Sequence, residues 1–199
     1  MFAITQKTPV TVFLLSGIFP LVPGAGIYYT AYYFIQGENA LSLANGISTF
    51  KIAVALAVGI ALGLGYGDNA KAALITRGNA ELARLGAAMG CKPETFAGLS
   101  GMGDLIVTCT SMHSRNNRAG ILIGKGESPE QAVKEVGMVV EGINALPAAM
   151  ELAEKYHVEM PIAQTVNAIV KEGMSASDVL RNLMARDRKS EMPQGYESV

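Results

Sequence analysis

Apolar and polar positions are distributed in two different ways along this chain. Residues 8–37 carry no formal charge, and a second uncharged stretch covers residues 52–67. Only Lys7, Glu38 and Lys51 are charged within the first 66 positions, against 30 charged residues in the 133 that follow. From Asp68 onward, apolar residues recur at the spacing of amphipathic helices. Leu74, Ile75, Leu82 and Leu85 share one face of a helix predicted over residues 70–89, with Lys71, Arg77, Glu81 and Arg84 largely elsewhere. Asp68 or Asn69 is its expected N-cap and Gly90 its stop. Pro93 starts a short helix over residues 94–99, ended by the turn Ser100-Gly101-Met102-Gly103. Ser128-Pro129-Glu130-Gln131 combines an N-cap, a proline at the first helical position and a capping-box glutamine. Pro147 begins or bends a helix that continues through Tyr156, and Pro161 opens another that ends near Gly173. Ser175-x-x-Asp178 caps a last helix through Arg186. Residues 138–140 form a connector at most. The pattern predicts an all-α domain of about six or seven helices. It divides the chain into an apolar helical segment (residues 1–50), a helical domain (51–187) and a polar tail (188–199).

The uncharged run over residues 8–37 is long enough to cross a hydrocarbon core of roughly 30 Å. Pro20, Pro23, Gly24 and Gly26 break any helix inside it, as happens where freed backbone faces protein or a water-filled cavity. Membrane association and a buried helix pair both fit this composition. Residues 52–67 are short for a span and rich in Ala and Gly, so a core helix is expected there. The words GIFPLVPGAGIYYTAYYFIQGENALSLANGISTFKIA resemble the small-subunit type of threonine/serine exporter membrane domain, over about residues 13–62. The resemblance implies membrane contact through residues 8–37. It carries over no transport residue, because polar side chains are so few.

Charge changes the picture by exclusion. The net charge is −1 and the basic residues are scattered, whereas phosphate neutralisation along a nucleic acid needs a Lys/Arg stripe. Cys91 and Cys109 lack ligand spacing, which fits free thiols in a reducing interior and no structural zinc. No Walker A, Ser-His-Asp or metal-binding pattern occurs. GLGYGDN follows no strand and lacks the third spaced glycine of a dinucleotide loop.

Three features could carry chemistry. Asp104 precedes the apolar run 105–109, as an N-cap or as a functional carboxylate. Ser114-Arg115-Asn116 suits an anion: Ser114 would cap a helix whose exposed N–H groups and positive end point where Arg115 also reaches. The bland reading, a solvated helix start with an incidental arginine, stands beside it. Lys51 is alone in an apolar helix, suited either to proton exchange or to snorkelling toward an interface. His113 and His157 read as surface residues, and Cys109 as a buried thiol.

GLGYGDNAKAALITRG, KPETFAGLSGMGDLIVTCTSMHSRNNRAG and VVEGINALPAAMELAEKYHVEMPI closely resemble the C-terminal domain of bacterial NAD(P)-dependent glycerol-3-phosphate dehydrogenase. The resemblance implies an all-α, 6-phosphogluconate-dehydrogenase-C-terminal-like fold that binds a three-carbon phosphate. It also implies packing against a Rossmann domain holding NAD or NADP. Lys51 would exchange the proton on the substrate's C2 oxygen, with Asp104 beside it. Ser114, Arg115 and Asn116 match the phosphate triplet; Arg115, Val139 and Glu141 match cofactor-binding positions. Two departures stand out: Ile52 replaces the family's asparagine, and no Rossmann domain is recognisable before Lys51. The expected function is the substrate domain of such a dehydrogenase, cytoplasmic, inactive alone and open to homodimerisation. The alternative is a membrane-anchored, exporter-like protein with the helical domain as passenger.

Overall fold

The computed structural model describes residues 39–92 and 94–186. The predicted broken span at 8–37, Pro93 and the polar tail lie outside the described residues. The helix α1 (Asn39–Gly63) is 25 residues long. Its sequence from Ile52 onward offers no polar face, and a helix that is apolar all round must be covered all round. Phe50, residues 53–58, Ile60 and Ala61 are accordingly at most 1% exposed. The expected core helix over residues 52–67 is thus the second half of a longer one, which runs unbroken past residues 50 and 51 and ends at Gly63. Gly65 (φ +87°) closes it, with the Tyr66 N–H donating to the Ala61 carbonyl at 3.0 Å. GLGYGDN is therefore a helix stop and connector.

The remaining helices wrap α1. They are α2 (Asp68–Ala88), α3 (Glu94–Ala97), a π-helix (Leu99–Gly103), α4 (Asp104–Thr110), α5 (Arg115–Gly124), α6 (Pro129–Val136), α7 (Glu141–Lys155), α8 (Pro161–Val170) and α9 (Ala176–Ala185). Helices α2, α4, α5, α7 and α8 pack directly on α1. No strand occurs among the described residues, so the all-α expectation holds. Among the described residues there are nine α-helices, more than the predicted six or seven; the short helix expected after Pro93 is α3, while α4, of seven residues, is too short to show a period.

The four predicted apolar positions of α2 are all buried. Its start differs from expectation: Gly67 is the N-cap and no side chain caps it. Asp68 is already helical, with its carboxylate 2.6 Å from Lys71 Nζ. The turn predicted at residues 100–103 is instead the π-helix, which leads straight into α4. Ser128 and Gln131 form the predicted capping box, at 3.2 Å in both directions. Ser175 Oγ accepts from the Asp178 N–H at 3.4 Å, as the sequence suggested. Pro147 lies inside α7. Gly173 (φ +69°) stands three residues beyond the end of α8, where the Met174 N–H donates back to the Ala168 carbonyl.

Helices α1 and α5 meet backbone to backbone. A Cβ on Gly59 would lie 3.0 Å from Gly120 Cα, and one on Gly63 would lie 2.9 Å from Gly124 Cα. Each would also collide with a carbonyl oxygen of the facing helix. The four glycines bring backbone against backbone, and so place the start of α5 beside the middle of α1.

Candidate functional site

Lys51 projects from α1 toward the first residue of α4, and its Nζ donates to Asp104 Oδ2 at 2.8 Å. The lysine side chain is 9% exposed and the aspartate 57%. Asp104 is therefore not an N-cap. It is helical, its carboxylate points to Lys51, and Gly103 precedes it without capping α4. Lys51 is no snorkelling residue in this fold: its ammonium is held among helices by a carboxylate.

Ser114 caps α5 as predicted, its Oγ accepting from the Asn117 N–H at 3.3 Å. Arg115 Nη2 lies 2.6 Å from Glu141 Oε1, an ion contact between a side chain 23% exposed and one 3% exposed. That oxygen makes no hydrogen bond of good geometry, so the contact is one of charge. Asn116, 6% exposed, uses Oδ1 to accept from the Gly142 N–H at 2.8 Å. This bond satisfies a free donor in the first turn of α7, whose own N-cap, Val140, has no side-chain bond to give.

Ile52 closes the arrangement. A Cβ on Gly142 would lie 3.1 Å from Ile52 Cγ2 and 2.8 Å from Asn116 Oδ1. Ile52, Asn116 and Gly142 thus meet at one point, and their chain neighbours Lys51, Arg115 and Glu141 flank it. Where the resemblance places a polar asparagine, this chain sets an isoleucine against backbone. Val139 stands on the connector before α7, 58% exposed, two residues from Glu141.

Two further residues escaped the sequence reading. Asn117, 1% exposed, donates from Nδ2 to the Cys109 carbonyl at 2.9 Å and so ties α5 to the end of α4. Glu81, 3% exposed, accepts from the Ile162 N–H with both carboxylate oxygens, at 2.9 and 3.2 Å. Its burial drives its pKa up to about 7, against the opposing pull of the Ile162 and Ala163 N–H groups, Arg84 and Arg186. Asn117 lies in the polar run 114–118, where no local pattern marks an inward-facing amide, whereas Glu81, seven residues after Leu74 and four before Leu85, stands at helical spacing on the apolar face of α2. Cys109 is fully buried, and desolvation lifts its thiol to about 12. His113 and His157 are exposed, as expected. Among the described residues, no cluster of His, Cys, Asp and Glu is placed to hold a metal ion.

The site thus sets a lysine–carboxylate pair, a serine-capped helix start and an arginine within an all-helical domain. The comparisons give the family. Residues 44–181 match the family described as NAD-dependent glycerol-3-phosphate dehydrogenase C-terminus, and the chain belongs to it. Relatives include glycerol-3-phosphate dehydrogenase [NAD(P)+] 2 of Lactobacillus delbrueckii subsp. bulgaricus, 64% identical over 142 residues, covering 71% of this chain and 42% of that protein. The glycerol-3-phosphate dehydrogenase [NAD(P)+] of Macrococcus caseolyticus is 48% identical over 165 residues, 83% of this chain and 50% of that one. The crystal structure of glycerol-3-phosphate dehydrogenase from Coxiella burnetii superposes with a TM-score of 0.70 at 38% identity, covering 72% of this chain and 44% of that one. The chain thus spans half or less of the length of these relatives. Residues 1–64 match a second family, the threonine/serine exporter ThrE. The two matches overlap over residues 44–64, all but the last of which lie in α1.

Proposed function

We propose that residues 51–187, with the part of α1 preceding Lys51, form the substrate-binding half of an NAD(P)-dependent glycerol-3-phosphate dehydrogenase. The observation that carries this reading is the 2.8 Å Lys51–Asp104 pair beside the capped start of α5. Lys51 holds the proton exchanged at the C2 oxygen of glycerol 3-phosphate or dihydroxyacetone phosphate, and Asp104 keeps the ammonium aimed. The phosphate lies at the N-terminus of α5, where Ser114, Asn116 and the free N–H groups stand and Arg115 offers a forked donor. Asn116 reaches it with its amide nitrogen, since its oxygen is engaged by Gly142.

Arg115, Val139 and Glu141 fit one side of a nicotinamide cofactor: a cation, an exposed apolar contact and a buried carboxylate in charge contact with that cation. NAD or NADP, when bound, supplies or accepts the hydride at C2. The helical domain contributes the substrate's orientation and the proton, and hydride transfer needs both reactants held about 3–3.5 Å apart. On this reading the domain works in the cytoplasm against a cofactor-bearing domain.

The test is binding first and turnover second. Glycerol 3-phosphate added to the full chain should shift amide resonances at the start of α5, and Arg115→Ala should weaken that binding at least tenfold. No shift at millimolar ligand would sink the phosphate site. Dihydroxyacetone phosphate should drive NADH oxidation where a cofactor domain is supplied, and Lys51→Ala should abolish it.

A second reading rests on the exporter match over residues 1–64: the chain contacts a membrane through residues 8–37. Among the described residues no helix is long and apolar enough to cross a membrane. The full chain should then sediment with vesicles while a chain beginning at residue 39 does not. Equal partitioning of the two would exclude it.

A further inference from the structure

Asp104 reaches Lys51 with a side chain more than half exposed, so burial does not fix the carboxylate. Its position is inherited from the backbone it grows from, the π-helix Leu99–Gly103. The outer side of that turn is unsupported, since Leu99 is 90% exposed. Its inner side is held. Gly101 is buried against the backbone of Phe96: a Cβ there would lie 2.5 Å from Phe96 Cα and 2.6 Å from its carbonyl carbon, and closer still to its oxygen. Phe96, 2% exposed, in turn lays its ring on Gly86 of α2, where a Cβ would lie 2.5 Å from Cε2 and closer to Cζ. Helix α2 is seated on α1 through Gly78, whose absent Cβ leaves room for the Val54 methyls. A continuous line of contacts therefore runs from the helix that carries Lys51, through α2 and Phe96, to the turn that carries Asp104.

We infer that Phe96 and Gly101 are positioning residues that set the Lys51–Asp104 pair. Relieving a Cβ at Gly101 requires the turn to withdraw from Phe96 by about 1 Å to reach ordinary contact distance. Added to the 2.8 Å between Nζ and Oδ2, that withdrawal exceeds hydrogen-bond reach. The π-helix matters because its i→i+5 bond, from the Gly103 N–H to the Gly98 carbonyl at 3.3 Å, places Asp104 one residue further round than an α-helical turn would. Under the dehydrogenase reading, on which only this consequence rests, the two residues act on the proton step without touching substrate.

The test reads the pair directly and needs neither substrate nor cofactor. Full-length chain is pulse-labelled with acetic anhydride, and Lys51 acetylation is measured by mass spectrometry against exposed Lys125. Asp104→Asn should raise the Lys51 rate several-fold. Gly101→Ala should raise it comparably, and Gly101→Ala with Asp104→Asn should show no further rise, because the contact is already lost. Phe96→Leu, which keeps an apolar side chain over Gly86, should show the same non-additivity and decides the matter if Gly101→Ala does not fold. A Lys51 rate unchanged in the folded variants, or a rise that multiplies with that of Asp104→Asn, would overturn the inference. Dehydrogenase activity could be absent and the labelling result still stand.

Discussion

Lys51, Glu81 and Glu141 are charged side chains with less than a tenth of their surface exposed, and each is held differently. Among the described residues no cation is in hydrogen-bond contact with Glu81; it caps α8 from α2 across the core. Its pKa in the folded protein, raised to about 7 by burial, exceeds the ordinary 4.5. The folded state therefore binds more protons than the unfolded state between those values, and stability falls as pH rises through that window. The loss is on the order of 3 kcal/mol by about pH 7. Glu81→Gln keeps an acceptor for the Ile162 N–H and removes the ionisation. Urea unfolding at pH 5 and pH 8 should show wild type losing stability and the variant nearly level; parallel behaviour would refute the titration. For Arg115, whose partner Glu141 is buried, Arg115→Ala should destabilise the fold by about 3 kcal/mol, because an uncompensated charge is left behind. Cys109, buried and with its thiol lifted to about 12, should resist iodoacetamide at pH 8 until the protein unfolds, while the only partly buried Cys91 reacts first.

At the scale of elements, interactions closed within a few residues were legible before the structure. Ser114, Ser128 and Ser175 cap helices because the partner N–H lies three residues on, and that spacing is visible in a string of letters. Asp68 and Asp104 carry the same signal and do not cap. One carboxylate is taken by Lys71 a turn away, the other by Lys51, 53 positions earlier. A cap and a long-range ion pair use the same residue type, and only the fold decides between them. The α1–α5 contact was equally hidden, since Gly59, Gly63, Gly120 and Gly124 read locally as helix-weakening residues. Gly120→Ala would place a Cβ 2.9 Å from Gly59 Cα and should cost about 1–3 kcal/mol, measured by thermal or urea unfolding. A similar change at Gly126, where φ is +104° and no neighbour lies within 4 Å, would act through backbone strain alone.

At the scale of the molecule, α1 is the organising element. Two families match across it, yet its buried residues from Phe50 to Ala61 pack inside the dehydrogenase-type domain. A chain beginning at residue 39 should therefore keep its helical circular dichroism and a cooperative melt. One beginning at Ile60 deletes most of the central helix and should lose the cooperative transition. Retention of that transition would mean that α1 is dispensable to the core.

The sequence by itself determined the helical class, the amphipathic faces, the serine caps and the family, because these follow from periodicity, local hydrogen bonding and contiguous motifs. It also marked Lys51, Asp104 and the Ser114–Asn116 group as residues in need of an explanation. Only the tertiary structure decided that Lys51 and Asp104 are 2.8 Å apart, that Asn116 spends its oxygen on α7, and that Glu81 is buried. Those facts depend on which helices lie side by side, and side-by-side packing is set by complementary surfaces distant in the chain, which no local pattern records.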